Sequence, residues 1–334
     1  MARLEELLIG ASLQMREVRR LVARFGPTPL PVLVTGATGV GKGLVAQALH
    51  ESSRRTGEFV PANVAALGDG LVESELFGHV RGAFTSATGS RRGLAKQAHG
   101  GTLFLDEIHR LSPVAQPKLL RAVETKMIRP VGSDSEARAD FRVIAAANED
   151  LRTLVDAGRF QADLLARLSR LVIHVPPLGE HREDIPLLAE RFVRALEGFA
   201  TARFTQSGFD ALMEHDWPWN VRELQVVVER ACVLAEHPII DRAAIQSAMR
   251  AGLRHERTGE SLSTSPYDCR ECLTEREHLL RSTLKNAGGK VRLAAAQLGV
   301  SRMTLYRWMT ELGIATPERR RRRSAREANS RISE

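Results

Sequence analysis

A glycine-rich turn that ends on a lysine is the feature of this sequence with the clearest chemistry. Gly36, Gly41 and Lys42 fit the pattern G-x-x-x-x-G-K, in which backbone N–H groups surround a phosphate and the lysine meets its outer oxygens. Such a loop usually carries Ser or Thr after the lysine to hold magnesium, whereas this chain has Gly43. The alternative is a turn that binds nothing. The residues predicted to bind nucleotide phosphates are Gly36, Ala37, Thr38, Gly39, Val40, Gly41, Lys42 and Gly43.

Two adjacent acids, Asp106 and Glu107, close the apolar stretch GGTLFLDEI further along the chain. We expect Asp106 to hold magnesium through water, and Glu107 to polarise the water that attacks the terminal phosphate. Acids also end strands as solvated caps, but beside a phosphate loop the pair favours an ATPase. ATP and Mg²⁺ are therefore the predicted cofactors.

The elements that must position these residues are short apolar strands that alternate with helical stretches from Pro31 to Val175. This alternation predicts an α/β fold with a parallel sheet, helices on both faces, and ligands at the carboxyl ends of the strands. The helix after the phosphate loop points its N-terminus at the phosphate. The predicted strands are Val32–Thr35, Phe59–Asn63, Thr102–Asp106, Arg142–Ala147 and 171–175.

The rest of the chain is predicted to be helical or irregular. An α/β ATPase subdomain is expected over 1–177 and a small helical subdomain over 178–249. The segment 250–272 is polar and lacks apolar periodicity, which is typical of a linker. A compact all-α unit follows at 273–316, and the basic tail 317–334 is expected to be disordered.

The unit at 273–316 has the pattern of a helix-turn-helix, in which a tight turn at Gly299 precedes a third helix capped by Ser301. That helix would fit the major groove of double-stranded DNA, with Arg302 or Arg307 bonding guanine or phosphate. A small helical interaction module is the alternative. The predicted DNA contacts are Ser301, Arg302, Thr304, Tyr306 and Arg307.

The net charge of +8 lies entirely at the C-terminal end. Seven Lys and Arg stand against three Asp and Glu in 273–316, and again in 317–334, whereas the first 272 residues carry equal numbers of both signs. This excess indicates nucleic-acid contact there, driven by counterion release. For the arginine run at 319–323 a solvated tail is an equal alternative.

The remaining composition is that of a cytoplasmic protein. Its 43% hydrophobic content is ordinary for a globular chain, and no apolar run is long enough to span a membrane. Cys232 lies in a helical apolar pattern and is predicted to be core. Cys269 and Cys272 form a lone C-x-x-C, for which a neutral linker is favoured over a zinc or redox site.

A resemblance to a known family rests on a set of motifs in a fixed order. From about Ile9 to Leu234 the chain resembles the central AAA+ domain of the sigma-54-dependent transcriptional activators, and its C-terminal helices resemble their Fis-type DNA-binding domain. The resemblance implies a P-loop sheet with a helical lid and a ring, usually a hexamer. The ring would couple ATP hydrolysis to remodelling of the sigma-54 RNA polymerase closed complex. The motifs are GATGVGKG, SELFGHVRGAFTSATGSRRG, GGTLFLDEI, RVIAAANEDL, DLLARL, VPPLGEHREDIPLLAE and WNVREL.

The resemblance also implies roles for single residues. Asn63 matches an asparagine that restrains the catalytic glutamate, and Asn148 lies in the sensor strand. Arg167 matches one of two arginines that reach the ATP of a neighbouring subunit, while Gln161 stands at the other position. Arg222 matches a second sensor of the phosphates. Surface ion pairing is the alternative for both arginines.

The stretch GAFTSA resembles the loop with which the family contacts sigma-54. A mobile loop with one aromatic anchor, raised and lowered with the nucleotide state, would convert hydrolysis into partner affinity. Ser86 replaces a family glycine, and an ordinary surface loop is the alternative. The predicted sigma-54 contacts are Gly82, Ala83, Phe84, Thr85, Ser86 and Ala87.

Two further departures from the family pattern are Ala147 in place of a threonine and Trp219 in place of a glycine. Because the AAA+ segment begins almost at Met1, control is expected from a regulatory protein acting in trans, either a separate inhibitor or a partner subunit, or from the expression level, rather than from a sensing domain. The rival hypotheses are a DNA-binding regulator that acts without sigma-54, and a helicase-like motor. The helix-turn-helix argues against the motor.

Overall fold

The computed structural model describes residues 2–67, 71–84, 87, 89–199, 201–235 and 238–253, together with isolated positions between 281 and 309. The chain divides into two compact units, Met1–Arg254 and His255–Glu334. The predicted DNA contacts Ser301, Arg302, Thr304, Tyr306 and Arg307 lie outside the described residues, as do Thr85 and Ser86. The following description therefore concerns the first unit.

The helices are α1 (Ala2–Leu7), α2 (Leu13–Phe25), α3 (Lys42–Glu51), α4 (Val72–Phe77), α5 (Leu94–Gln97), α6 (Ala115–Thr125), α7 (Leu151–Asp156), α8 (Ala162–Leu168), α9 (Ile185–Ala195), α10 (Gln206–Glu214), α11 (Asn220–Leu234) and α12 (Arg242–Leu253). The strands are β1 (Val32–Thr35), β2 (Phe59–Asn63), β3 (Gly78–His79), β4 (Arg91–Arg92), β5 (Thr102–Asp106), β6 (Met127–Ile128), β7 (Ala137–Arg138), β8 (Arg142–Ala147), β9 (Leu171–His174), β10 (Arg203–Phe204) and β11 (Ile239–Ile240). Single 3₁₀ turns lie at Val64–Ala66, Ile108–Arg110, Leu178–Glu180 and Arg182–Asp184.

A five-stranded parallel sheet, in the order β2-β5-β8-β1-β9, positions the predicted site. All five predicted strands form, and the last one ends at His174 instead of Val175. In the register of β2 and β5, Asn63 stands opposite Asp106. The phosphate loop follows β1, the acid pair ends β5, and Asn148 follows β8. Because these strands are parallel, all three features lie at the carboxyl edge of the sheet, as predicted.

Both faces of the sheet are buried, which explains why its strands are continuously apolar. Leu33, Leu103 and Val143 point into one core with α6, α7 and α8. Val34 and Ile144 point into the other core, with α2 and α3. The alternation of side chains along each strand separates the two cores.

Helices α9–α12 form a smaller core of their own around Trp217. Cys232 is 3% exposed within it, as predicted, and burial raises the pKa of its thiol to about 11. The sequence predicted helix from Asp184 to Ala235 with a turn at His215 to Asn220, but α9 ends at Ala195. The short strand β10, which pairs with β11, lies between α9 and α10. Helix α12 also continues to Leu253, past the predicted start of the linker at Arg250, because Ile245 and Ala248 pack into this core.

Buried Asp184 ties this helical subdomain to the start of α2. Its carboxylate accepts hydrogen bonds from Ala11 N (2.5 Å), Ser12 N (3.0 Å), Ser12 Oγ (2.5 Å) and His181 Nδ1 (3.0 Å). Burial by itself would raise the pKa of Asp184, but the hydrogen bonds from Ser12, Ala11 and His181 lower it below its usual value. The contact holds the entry to α9 against the α/β subdomain.

Candidate nucleotide site and partner loop

The phosphate loop adopts the backbone conformation that its glycines allow. Gly36, Gly39 and Gly41 have φ values of +147°, +81° and +97°. A Cβ at Gly36 would lie 2.5 Å from Val175 O, and one at Gly39 would lie 2.1 Å from Trp219 O. Glycine is therefore required at both positions, because they combine a positive φ with close backbone approach.

Lys42 begins α3, is 7% exposed, and donates from Nζ to Gly36 O (2.9 Å) and Ala37 O (3.0 Å). Burial lowers its pKa, the carboxylates of Glu107 and Asp106 oppose that shift, and the Arg222 cation reinforces it. These charges therefore converge on Lys42, although they come from three separate stretches of the sequence. An ammonium group has three hydrogens, so Lys42 retains one donor for a phosphate oxygen.

Asp106 ends β5, and its Oδ1 accepts a hydrogen bond from Glu107 N at 3.0 Å. Glu107 has a φ of +55°, a left-handed conformation that is uncommon for residues other than glycine. Such strain tends to occur at functional sites, where the fold enforces it. The turn directs Glu107 away from the strand, and its side chain is 20% exposed.

The donors present at this edge fit a magnesium ion that brings its own water and phosphate ligands, the usual form of magnesium binding. Asp106 would hold it, and magnesium would polarise the phosphoryl oxygens there. Gly43 offers no hydroxyl, yet a Cβ at Gly43 would make only ordinary contact with Phe104 at 3.9 Å. Crowding therefore does not explain the missing hydroxyl. Among the described residues no cluster of His, Cys, Asp and Glu could by itself hold a metal.

The helical subdomain touches the phosphate loop through the start of α11. Arg222 N donates to Gly39 O at 3.2 Å, and Asn220 Nδ2 donates to Thr38 O at 2.9 Å. Asn220 is 4% exposed, has a φ of +55°, and accepts from Leu178 N (2.8 Å) at the junction of the two subdomains. The sequence predicted Arg222 but not Asn220. The only available signal was its place in WNVREL.

The two predicted asparagines lie in different surroundings. Asn148 Nδ2 donates to Thr38 Oγ1 at 3.1 Å, so the end of β8 is linked directly to the phosphate loop. Asn63 lies beside Asp106, but its Oδ1 accepts from Ala65 N at 3.0 Å and caps the next turn. Among the described residues no hydrogen bond joins Asn63 to Glu107. The restraining role implied for Asn63 stays a prediction.

Arg167, on α8, forms an ion pair with Glu124 on α6, and both side chains are about 40% exposed. It lies on the surface, where a cation can leave its partner at low cost. Gln161 precedes α8, and its backbone N donates to Gln116 Oε1 at 2.8 Å. One cation is therefore present in the segment where the resemblance implies two.

The loop predicted to contact sigma-54 is closed by two backbone hydrogen bonds, Gly82 N to Ala87 O and Ala87 N to Phe84 O, both 2.9 Å. Phe84 is half-buried and packs edge-on against His79, with ring centroids 5.0 Å apart. Gly82 has a φ of +81° and open space around its α-carbon. Phe84, the predicted aromatic anchor, thus packs against the protein.

A cleft of about 930 Å³ borders the start of the phosphate loop at Gly36 and Ala37, the end of β8 at Asn148, and helix α8. It lies on the α7–α8 face of the sheet, opposite the face that α3 covers. The cleft thus adjoins the phosphate cradle and the surface that carries Arg167. In the described part of the chain no helix is long and apolar enough to cross a membrane.

The comparison with family models decides the assignment. The model of the sigma-54 interaction domain matches residues 8–174, which is half of the 334-residue chain. This chain belongs to the sigma-54 activator family. Models of the AAA+ ATPase lid domain and of the Fis family of bacterial regulatory proteins match residues 179–262 and 274–312. The predicted resemblance, the P-loop sheet with a helical lid, and the helix-turn-helix are confirmed.

Individual relatives agree with the family assignment. The transcriptional regulatory protein ZraR of Salmonella typhimurium is 40% identical over 303 residues, which cover 89% of this chain and 67% of ZraR. The DNA-binding transcriptional regulator NtrC of Rhizobium meliloti is 38% identical over 92% of this chain and 70% of NtrC. The crystal structure of NtrX from Brucella abortus in complex with ATP is 30% identical and superposes with a TM-score of 0.65, over 92% of this chain and 69% of NtrX. Nucleotide binding by this sigma-54 activator follows from its family.

Proposed function

We propose that this sigma-54 activator hydrolyses ATP in a ring and uses the energy to remodel the closed complex of sigma-54 RNA polymerase. The observation that carries the proposal is geometric. Lys42 begins α3 directly after the phosphate loop, and Asp106 ends β5 of the same sheet, with Glu107 directly after it. The backbone of Arg222 bonds Gly39 of the loop. In this arrangement Lys42 binds the outer phosphate oxygens, Asp106 holds the hydrated magnesium, and Glu107 orients the attacking water.

Ring assembly would complete the site. Arg167 lies on the surface of α8 and pairs with Glu124. In a ring, Arg167 of one subunit would stabilise the charge on the ATP of the next, which makes hydrolysis depend on assembly. A hexamer is the proposed form. Gln161 leaves Arg167 as the one cation of this segment that could act in trans.

The nucleotide state would be transmitted through the contacts that already join the moving parts. Asn148 links the sensor strand to Thr38, while Asn220 and Arg222 link the lid to the same loop. Loss of the terminal phosphate would alter these contacts and change the position of Phe84, the proposed anchor for sigma-54. The Fis-type unit would hold the assembly at upstream DNA, with Arg302 and Arg307 as its proposed base or phosphate contacts.

Trapping the complex with sigma-54 tests this proposal. The protein is mixed with sigma-54, ADP and aluminium fluoride, which mimics the phosphate in flight, and stable complexes are separated by size. We expect a complex that is lost in Phe84→Ala and in Lys42→Ala. Val233→Ala is the matched control, because Val233 is 69% exposed and lies on α11, away from the loop.

The outcomes separate the proposal from its rival. A complex that Phe84→Ala abolishes and Val233→Ala preserves supports activation through sigma-54. If ATP is hydrolysed but no complex forms, the partner is wrong. A DNA-binding regulator that acts without sigma-54 then becomes the better assignment, in keeping with the changes at Ser86 and Gln161.

A further inference from the structure

A buried histidine next to the predicted catalytic glutamate has no role in the site described above. His109 follows β5 in the turn Ile108–Arg110, and its side chain is 4% exposed. Among the described residues neither of its ring nitrogens makes a hydrogen bond. A buried polar group without a partner is costly, so an imidazole kept here calls for a physical explanation.

Two carboxylates flank the ring. His109 Nε2 lies 3.3 Å from Glu107 Oε2 and 3.6 Å from Glu149 Oε1, close to hydrogen-bond distance but without its geometry. Glu107 is the predicted catalytic residue, whereas Glu149 directly follows Asn148, which bonds Thr38 of the phosphate loop. The ring thus stands between the hydrolytic glutamate and the end of the sensor strand.

We propose that His109 is a positioning residue for Glu107, which ties the orientation of that carboxylate to the end of β8. In the structure Nε2 makes neither bond, but with its hydrogen on Nε2 the imidazole can donate to one carboxylate at a time after a small rotation, either to Glu107 or to Glu149. The proton stays on the ring in both arrangements. A shift of Asn148 and Glu149 that follows loss of the terminal phosphate would therefore change what holds Glu107.

The surroundings of Asn63, the other residue predicted to restrain Glu107, favour His109 as the positioning residue. Asn63 caps the turn at Val64–Ala66, where its Oδ1 accepts from Ala65 N at 3.0 Å. His109 is the side chain found within 3.3 Å of the Glu107 carboxylate. The inference rests on the proposed ATPase function, because it assigns Glu107 to the hydrolytic step.

Two substitutions at position 109 separate positioning from packing. His109→Leu keeps the buried volume and removes the donor, whereas His109→Gln places an amide nitrogen near the position of Nε2. We expect His109→Leu to lower kcat for ATP by about tenfold to hundredfold, because a misplaced catalytic group costs that much. We expect KM to change by less than about twofold, and His109→Gln to recover most of kcat.

The melting temperature separates positioning from a structural role, because loss of a structural residue would lower it. Because His109→Leu removes two buried nitrogens without partners, its melting temperature is expected to equal or exceed that of the wild type. His99→Leu is the control, since His99 is exposed and contacts Asp140 N, at the opposite end of the sheet. Unchanged kcat in His109→Leu, or no recovery in His109→Gln, overturns the proposal.

A second measurement does not depend on hydrolysis. The ¹⁵N resonance of His109 Nε2, assigned by its loss in His109→Gln, is expected to shift in Glu107→Gln and in Glu149→Gln. Glu73→Gln is the control, because Glu73 lines the same cleft as His109 but pairs with Lys118. If the wild type hydrolyses no ATP, the proposed function fails, while these spectra still decide whether His109 holds both carboxylates. A resonance that neither substitution moves overturns the inference.

Discussion

Two buried cations stand at opposite ends of the same sheet, and only one of them belongs to the candidate site. Arg142, at the amino end of β8, is 1% exposed and donates to Leu30 O, Gly26 O and Phe25 O at 2.7–3.0 Å. Lys42, beyond the carboxyl end of β1, is 7% exposed and donates to two carbonyls. Burial lowers the pKa of both, that of Arg142 to about 10.

The two cations differ in their charged neighbours and in the hydrogen-bond donors that they have left for a ligand. The Arg142 guanidinium donates hydrogen bonds to backbone carbonyls at the end of α2 and in the loop that follows. Its main charged neighbour is another cation, Arg55. Lys42 keeps a free donor and faces Asp106 and Glu107. Burial and a shifted pKa therefore do not mark a ligand site by themselves. A ligand site is indicated when a buried cation also keeps an unused hydrogen-bond donor and lies close to carboxylates, as Lys42 does.

Removing Arg142 tests the structural side of this comparison. Arg142→Met leaves the carbonyls of Gly26 and Leu30 without this donor, while Phe25 O keeps its hydrogen bonds from Thr28, so the free energy of unfolding is expected to fall by about 3 kcal/mol. Chemical denaturation followed by circular dichroism measures this change. ATP affinity of the folded fraction should stay within about twofold, because the site lies at the other end of the sheet.

Lys42→Met is the matched variant. It also removes a buried cation, but stability is expected to change by less than about 1 kcal/mol, because burial already disfavours the charged lysine. ATP binding should be lost. If Lys42→Met destabilises the protein as much as Arg142→Met does, the two cations are both structural and the comparison fails.

The sequence predicted the strands and the phosphate loop because these features depend on local patterns. Continuous apolar runs determine buried parallel strands, and the glycines of the loop are fixed by a backbone that other residues cannot adopt. Gly36 and Gly39 show this directly, since a Cβ at either would meet a carbonyl oxygen. The end of α9 at Ala195 could not be predicted in this way, because the next element, β10, forms by pairing with β11, which lies far along the chain.

Long-range partners explain what the sequence could not predict at the site. Asn220 bonds Thr38, which is far from it in the sequence. His109, after β5, lies beside Glu149, which follows β8. Nothing in the spacing of Asn220 or His109 indicates these neighbours. The family resemblance provided roles for residues within its motifs, and the structure was needed to find residues that act through them.

Asp184 extends the comparison to a buried anion, with a smaller expected effect. Asp184→Asn replaces a carboxylate that accepts four hydrogen bonds by an amide with one acceptor oxygen, so stability at pH 7 should fall by about 2 kcal/mol. Because the folded-state pKa of Asp184 is lowered, the native state binds fewer protons than the unfolded state near pH 3.8.

The stability that Asp184 contributes is consequently present above its unfolded pKa and is lost as pH falls through its folded pKa. Denaturation of wild type and Asp184→Asn should therefore show a constant difference from about pH 7 to pH 5, and a shrinking one below about pH 4. A gap that widens in acid would mean that Asp184 is protonated in the folded protein, contrary to its hydrogen bonds.

The smallest effect is expected at the surface pair of Arg167 and Glu124. Both side chains are about 40% exposed, so Glu124→Gln should change the free energy of unfolding by less than about 1 kcal/mol. If Arg167 serves a neighbouring subunit, freeing it from Glu124 leaves ATP hydrolysis intact, whereas Arg167→Ala abolishes it. Steady-state ATPase rates at several protein concentrations distinguish the two variants. Equal losses in both would show that the pair acts as a unit within one chain, and Arg167 would then join Arg142 as a structural cation.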